Sequence, residues 1–172
     1  MAIYALGDKV PRIDPSAFVH PEAVIIGDVQ IGAESSVWPT AVLRGDHGAV
    51  VVGSQTSIQD GTVIHCTAEL DTTVGNRCVV GHNAHLEGCT VEDDCLIGSG
   101  SVLLHSVRVG PHALVGAGAV VSPGTTVPPR ARALGVPARV TEGVVEAGEF
   151  SDSVATYVRN THWYNADLRR LD

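Results

Sequence analysis

The sequence predicts an all-β solenoid, a parallel β-helix, followed by one C-terminal α-helix. Hydrophobic residues make up 44% of the 172 residues but aromatic residues only 4%, and there are 19 glycines. This composition indicates a core of small aliphatic side chains. The second observation is a repeat, because aliphatic residues recur about every six positions. Neither an α-helix nor a hairpin has that period, whereas short strands joined by tight corners do.

The repeat also predicts which residues meet. Its aliphatic positions include Val52, Ile58, Ile64, Val74, Val80, Leu86, Val91, Ile97, Leu103, Val109, Val115, Val121 and Val127. A small residue follows four positions after most of them. Three hexads form one coil, and neighbouring coils lie about 4.8 Å apart, so residues roughly eighteen apart become contacts. Two segments, 44–50 and 66–73, interrupt the repeat, and we expect each to lengthen a connection.

The repeat stops after Pro137, which divides the chain into a β-helix domain, 1–140, and a C-terminal linker with a helix, 141–172. From Ser151 onward, hydrophobic residues recur at helical spacing. Ser151 and Ser153 are candidate N-caps, and Arg169 and Arg170 are expected near the end of the helix. We expect this helix to pack against the flank of the solenoid.

Charge and cysteine content restrict the function. The formal net charge of −8 argues against a nucleic-acid partner or an anionic membrane surface. The N-terminus lacks the features of a signal peptide, and no apolar stretch reaches 18 residues, so we expect a cytoplasmic protein without a membrane partner. The four cysteines form no CxxC pair, so neither a zinc knuckle nor a disulfide framework is indicated. Cys66 and Cys89 are left out of the predicted site.

The segment GHNAHLEGC, 81–89, contains three groups that bind metals: His82, His85 and Glu87. Glu87 follows inward Leu86, as His65 follows inward Ile64, so both should stack on one outer face. His82 belongs to a neighbouring column and should project at a different edge. Histidines and a carboxylate around one point suit zinc or a similar divalent cation. One solenoid face is too open to surround an ion, which favours a ligand from a neighbouring subunit.

Four motifs resemble the γ-class carbonic anhydrase family: AVLRGD (41–46), IQDGTVIH (58–65), VGH (80–82) and LGVPARV (134–140). The likeness runs from about Ile13 to Val140. It implies a left-handed β-helix, a homotrimer, and a metal site at each subunit interface for reversible hydration of carbon dioxide to bicarbonate. The implied metal is zinc or another divalent ion such as iron or cobalt. Its implied ligands include His65 and, from the adjacent subunit, His82.

The resemblance also implies roles for residues around the metal. Arg44 and Asp46 correspond to an ion pair that supports the interface. Gln59 and Asp60 correspond to residues beside the water on the metal, where Gln59 would orient the hydroxide or bicarbonate. His47 follows the RGD motif where some members of the family carry a glutamate, and it is the candidate for exporting the proton.

The sequence departs from the family at the third ligand, because Glu87 occupies the position of the last histidine in GHxxxxHG. Glu87 could replace that histidine, His85 could reach the metal instead, or the metal could be lost. Two histidines and one glutamate are an established zinc set. A carboxylate should raise the pKa of water on the metal, which favours a non-catalytic or repurposed metal-binding or assembly protein as the alternative. A hexapeptide-repeat acyltransferase is the second rival.

Overall fold

A computed structural model describes residues 2–172 as a left-handed parallel β-helix of about seven turns with one C-terminal helix. The predicted fold class is confirmed. The strands are β1 (Ala2–Tyr4), β2 (Arg12–Ile13), β3 (Phe18–Val19), β4 (Val24–Ile31), β5 (Ser36–Val37), β6 (Val42–Val52), β7 (Ser57–Ile58), β8 (Val63–His65), β9 (Thr72–Val74), β10 (Val79–Val80), β11 (His85–Glu87), β12 (Thr90–Val91), β13 (Leu96–Ile97), β14 (Val102–Leu103), β15 (Arg108–Val109), β16 (Leu114–Val115), β17 (Val120–Val121), β18 (Thr126–Val127), β19 (Arg132–Leu134) and β20 (Arg139–Thr141).

The strands form three faces. The first face contains β1, the beginnings of β4 and β6, and then β8, β11, β14 and β17. The second contains β2, the ends of β4 and β6, and then β9, β12, β15 and β18. The third contains β3, β5, β7, β10, β13, β16 and β19, and β20 closes it by pairing antiparallel with β19. Strands on each face therefore repeat once per coil.

The inward positions of the hexads form a continuous aliphatic core. On the first face one column consists of Ile25, Leu43, Ile64, Leu86 and Leu103, all fully buried and stacked in parallel register. Each of these side chains contacts those of the coils above and below. Burying a leucine or isoleucine stabilises the fold by about 1.5–3 kcal/mol, so the stacked columns supply most of the driving force for the solenoid.

The predicted lengthening at residues 44–50 is confirmed, because paired residues are 18 apart at Gly27 and Gly45 but 21 apart at Val29 and Val50. The lengthened segment lies within the continuous strand β6, which runs through a corner beside β4. The register of this pair shifts between Gly27 and Val29. A Cβ at Gly45 would lie 2.2 Å from the carbonyl oxygen of Asp28. Glycine therefore allows the two backbones to come close enough to pass the corner together.

The C-terminal helix α1 (Ser151–Asp167) packs on the third face through aromatic contacts. Its N-cap is Phe150, without a side-chain hydrogen bond, so the predicted serine caps are wrong. Arg169 and Arg170 follow the helix rather than lying in its last turn. The ring of Trp38 contacts that of Tyr164, with centroids 4.9 Å apart. Within residues 2–172, no helical segment has the length and hydrophobicity needed to cross a membrane.

Candidate metal centre

His65 and Glu87 stack on the first face, as the repeat predicts. They are the last residues of β8 and β11, and they are partners in the parallel register. The Nδ1 atom of His65 lies 3.1 Å from Oε1 of Glu87. The side chain of His65 is 17% exposed and that of Glu87 is 26% exposed. The two groups therefore point outward from one corner, shielded from bulk water but open to one side.

The second nitrogen of His65 is held by Asp46. Its Nε2 lies 2.9 Å from Oδ1 of Asp46, whose other oxygen is paired with Arg44. Burial acts to raise the pKa of Asp46, but hydrogen bonds from His65 and Arg44 outweigh it and lower that pKa to about 2. An ionised carboxylate on one ring nitrogen fixes the tautomer and orientation of a histidine whose other nitrogen binds a metal. The predicted pair of Arg44 and Asp46 thus forms within one chain.

The donors around Nδ1 of His65 fit a divalent cation. Bonds of about 2.0–2.2 Å to a nitrogen and an oxygen in tetrahedral geometry separate those two atoms by about 3.4 Å. The separation of 3.1 Å between His65 and Glu87 is close to that value. The Nε2 atom of His65 is already held by Asp46. An ion can therefore bind between Nδ1 of His65 and the carboxylate of Glu87 without breaking that contact.

Glu87 also lies among two further imidazoles. Its Oε2 is 3.4 Å from Nε2 of His85, and its Oε1 is 3.8 Å from Nε2 of His105. Burial tends to raise the pKa of Glu87, but hydrogen bonding and charge from His65, with help from His105 and His85, lower it. The sequence analysis did not identify His105. The available signal was its position immediately after Leu104, one coil beyond Glu87.

Gln59, Asp60 and His82 form a second group at a different edge. Oδ2 of Asp60 lies 2.9 Å from Nδ1 of His82, and Gln59 is buried beside them. Tyr157 from α1 lies beside this group, close enough for Asp60 and Gln59 to affect its pKa. Burial raises the pKa of Tyr157, and the charge of Asp60 adds to that rise. Sequence reasoning did not predict that the helix contributes to this edge.

The two groups lie at opposite ends of β8, since Gln59 and Asp60 precede this strand and His65 ends it. One chain therefore does not bring His82 to the pair formed by His65 and Glu87. His47, the candidate for proton export, is exposed beside the first group. Its backbone N–H donates to Asp46, and its carbonyl accepts a hydrogen bond of 2.8 Å from Lys9.

Cys66 is the other potential ligand near His65. Ligand atoms of Asp46, His65 and Cys66 all lie within 4.8 Å of one another. The cysteine, however, is fully buried among core residues, and its sulfur contacts the backbone of Gly48 and Arg44. Its orientation toward the core favours a packing role, since free cysteine behaves as a small hydrophobic residue.

Comparison with known proteins supports the repeat and the motifs. The profile of the bacterial transferase hexapeptide family (six repeats) matches residues 71–105 and 88–123. Gamma carbonic anhydrase 2, mitochondrial, from Arabidopsis thaliana is 47% identical over 127 residues, which are 70% of this chain and 46% of that protein. The chain thus spans about half the length of this plant relative. Carnitine operon protein CaiE of Escherichia coli is 40% identical over 144 residues, covering 84% of this chain and 74% of CaiE.

Two solved structures share nearly the whole fold. A Bacillus cereus protein, described as a candidate acetyltransferase, superposes with a TM-score of 0.92 at 34% identity, covering 96% of this chain and 97% of that one. A hexapeptide transferase family protein from Anaplasma phagocytophilum gives a TM-score of 0.88 at 30% identity, over 95% and 98% of the two chains. Repeat, motifs and relatives agree: this chain belongs to the hexapeptide-repeat β-helix superfamily, in which both the gamma carbonic anhydrases and CaiE are found.

Proposed function

We propose that this protein catalyses the reversible hydration of carbon dioxide to bicarbonate at metal sites shared between the subunits of a homotrimer. The observation that carries the proposal is the division of the site into two groups. His65 and Glu87 lie at one edge of the first face, whereas His82, Asp60 and Gln59 lie at the other. A neighbouring copy that presents its second group to the first would complete a set of two histidines and one glutamate.

The surface between the two groups supports such an assembly. The outward column next to His65 contains a ladder of valines interrupted by His85. Its valines are Val24, Val42, Val63, Val102 and Val120. Covering an apolar ladder on an outer sheet face with another protein surface lowers the free energy, because apolar area is removed from water. A second copy in a closed symmetric arrangement would cover the ladder and bring the two groups together.

The residues around the ion would have separate roles. A divalent cation, zinc or another such as iron or cobalt, would supply Lewis-acid chemistry that makes water nucleophilic near neutral pH. His65, Glu87 and His82 of a second copy would hold it, and Asp46 would orient the ring of His65. Gln59 would orient the reacting oxygen by hydrogen bonding. His47, exposed beside Asp46, would carry the proton to solvent.

The test combines three measurements on the purified protein: metal content, mass in solution, and carbon dioxide hydration by stopped flow. We expect one metal per chain, a mass three times 17.9 kDa, and hydration that a chelator abolishes and added metal restores. His82→Ala is the informative variant, because it should abolish activity while the fold of each subunit persists. A monomer that holds one metal per chain and hydrates carbon dioxide would refute the shared site.

A second candidate is a metal-binding or assembly protein without hydratase activity. Glu87 favours it, because a carboxylate in place of a neutral imidazole adds a negative charge and raises the pKa of water on the ion. Full metal content in a trimer without hydration activity would support this candidate. Because the Bacillus cereus relative is described as a candidate acetyltransferase, acyl transfer is a further alternative to test. A rise in melting temperature on adding coenzyme A would favour acyl transfer.

A further inference from the structure

We propose that Lys9 is a positioning residue for His47, the residue proposed to export the proton, and that it acts by fixing the backbone of segment 46–49. The inference rests on the proposed function for the reaction itself. It gives a role to parts of the chain that lie outside the two groups of the site. These parts are the N-terminal turn that carries Lys9 and the two segments, 44–50 and 66–73, that interrupt the repeat.

Lys9 reaches His47 from the first coil of the β-helix. Its ammonium group donates a hydrogen bond of 2.8 Å to the backbone carbonyl of His47, 38 residues along the chain. The backbone of Lys9 is itself fixed, because it exchanges two backbone hydrogen bonds with Leu6, at 2.9 and 3.2 Å. Gly7, with φ of +58°, allows the tight turn between them. Lys9 is therefore anchored at its own backbone and holds the carbonyl group of His47.

The loop 66–73 holds the same segment from the following coil. Oδ1 of Asp71 accepts a hydrogen bond of 2.7 Å from the backbone N–H of Ala49. Gly48 lies against this loop so closely that a Cβ on it would be 2.6 Å from Oδ1 of Asp71 and 2.7 Å from the carbonyl oxygen of Thr67. Glycine at this position therefore lets the two lengthened segments pack together.

The backbone of His47 is also joined to the first group of the site. Its N–H donates at 2.9 Å to Oδ1 of Asp46, and the same oxygen lies 2.9 Å from Nε2 of His65. The residue is exposed, so the ring can turn toward solvent while the backbone stays in place. A histidine that carries protons needs a ring that turns and a fixed distance from the reacting water. The contact with Lys9 supplies that fixed distance on the carbonyl side.

The experiment measures carbon dioxide hydration by stopped flow at low and high concentrations of a buffer that does not bind metals, such as HEPES. The variants are Lys9→Met, Lys9→Arg, His47→Ala and the double variant that combines Lys9→Met with His47→Ala. Arg12→Met is the control, since Arg12 also belongs to the first coil but forms an exposed ion pair with Asp28. Metal content and circular dichroism melting show that each variant is loaded and folded.

We expect Lys9→Met to lower kcat at low buffer concentration by about threefold to tenfold, a part of the roughly 10²-fold effect of a positioned acid–base group. The ratio kcat/KM should stay unchanged, because it contains the steps that precede proton export. High buffer concentration should restore kcat, and Lys9→Arg and Arg12→Met should keep it. Lys9→Met should have no further effect on His47→Ala, because the two residues act through one route.

A second readout does not depend on activity. The amide N–H of Gly48 shares its peptide group with the carbonyl of His47, so it should become more mobile in Lys9→Met. Its NMR order parameter should fall from about 0.85 toward about 0.6.

Three results would overturn the inference while leaving hydration in place. They are an unchanged order parameter, a wild-type kcat in Lys9→Met, and an equal loss of kcat from Lys9→Met with and without His47. A wild-type protein that does not hydrate carbon dioxide refutes the proposed function and the role of Lys9 with it.

Discussion

Glu87 lies one coil beyond His65, with its Oε1 atom 3.1 Å from Nδ1 of that histidine. The same carboxylate approaches His85 and His105, so three imidazoles surround one negative charge. The family resemblance implies a histidine at this position. An acidic group therefore lies at the centre of the proposed metal site, where its charge would affect the ionisation of water on an ion.

Glu87→Ala should remove or strongly weaken metal binding, because His65 would lose the donor that lies at metal-sharing distance. Loss of a direct ligand should lower the affinity by at least the 10–100-fold that loss of a supporting residue typically costs. Metal content after dialysis, measured by elemental analysis, is the readout. His85→Ala should leave it nearly intact, since its nitrogen faces the other oxygen. The reverse pattern, with metal lost in His85→Ala alone, would show that His85 is the third ligand.

Arg44→Glu should weaken the proposed trimer. The substitution removes the cation that pairs with Asp46 and places a second carboxylate beside it. Because Arg44 is partly exposed, we expect a cost of about 1–2 kcal/mol in the free energy of unfolding. Light scattering across a dilution series should show dissociation at higher protein concentration than in the wild type. Arg108→Glu, which disrupts an exposed pair with Glu92, is the matched control. If Arg44→Glu and Arg108→Glu dissociate at the same protein concentration, the pair of Arg44 and Asp46 does not support the subunit interface.

Trp38→Ala should detach the C-terminal helix. The indole is 7% exposed, its Nε1 donates to the hydroxyls of Ser36 and Ser57, and its ring contacts that of Tyr164. Truncation of a buried tryptophan typically costs about 3–5 kcal/mol. Urea denaturation measures the loss, and faster proteolysis within 151–167 reports detachment. Trp163→Ala is the control, because Trp163 is 59% exposed and its removal should change stability by less than about 0.5 kcal/mol.

Gly45→Ala should disturb the corner where β4 and β6 run together. The new methyl group would meet the backbone of Asp28 at 2.2 Å, and backbone atoms cannot move aside as the end of a flexible side chain can. We expect destabilisation of about 2–3 kcal/mol by overpacking. Gly124→Ala is the comparison, since its methyl group meets nothing within 4 Å and the positive φ of +72° alone costs about 1 kcal/mol. Thermal melts should rank the variants in that order.

The sequence predicts the fold well because burial in a solenoid repeats locally. Ile64 and Leu86 are recognisable as inward residues from their own hexads, and the parallel register then stacks them. The corner at Gly45 was not predictable, because a lengthened coil can extend as a loop or as continuous strand with the same residues. The helix cap was also not predictable. Ser151 is a favourable N-cap by residue type, but it is the first residue of the helix and Phe150 occupies the N-cap position.

The candidate site was predictable only within the coils whose register was already fixed. His65 and Glu87 follow paired inward residues, so their stacking could be derived. His105 could not be placed, because the spacing between paired positions varies: Val63 and His85 are 22 residues apart, whereas His85 and Val102 are 17 apart. The contact of Tyr157 with Gln59 depends on how α1 docks, which the hexads do not encode.

Glu87→His tests whether the carboxylate limits the proposed chemistry. The exchange replaces a negative charge with a neutral imidazole, which raises the net positive charge at the ion and lowers the pKa of water there. Carbonic anhydrases with three neutral imidazoles bring that pKa to about 7. Each unit by which the pKa falls toward the assay pH should raise hydration up to about tenfold.

The measurement is the rate of carbon dioxide hydration from pH 6 to 9 for Glu87→His and the wild type, each with its metal content determined. We expect the alkaline rise of the rate to shift to lower pH in Glu87→His. Glu87→Gln separates charge from geometry, because it removes the charge with little change in shape and should shift the profile in the same direction if it still binds metal. A Glu87→His protein with full metal content and an unchanged pH profile would show that the charge of Glu87 does not set the ionisation of water at this site.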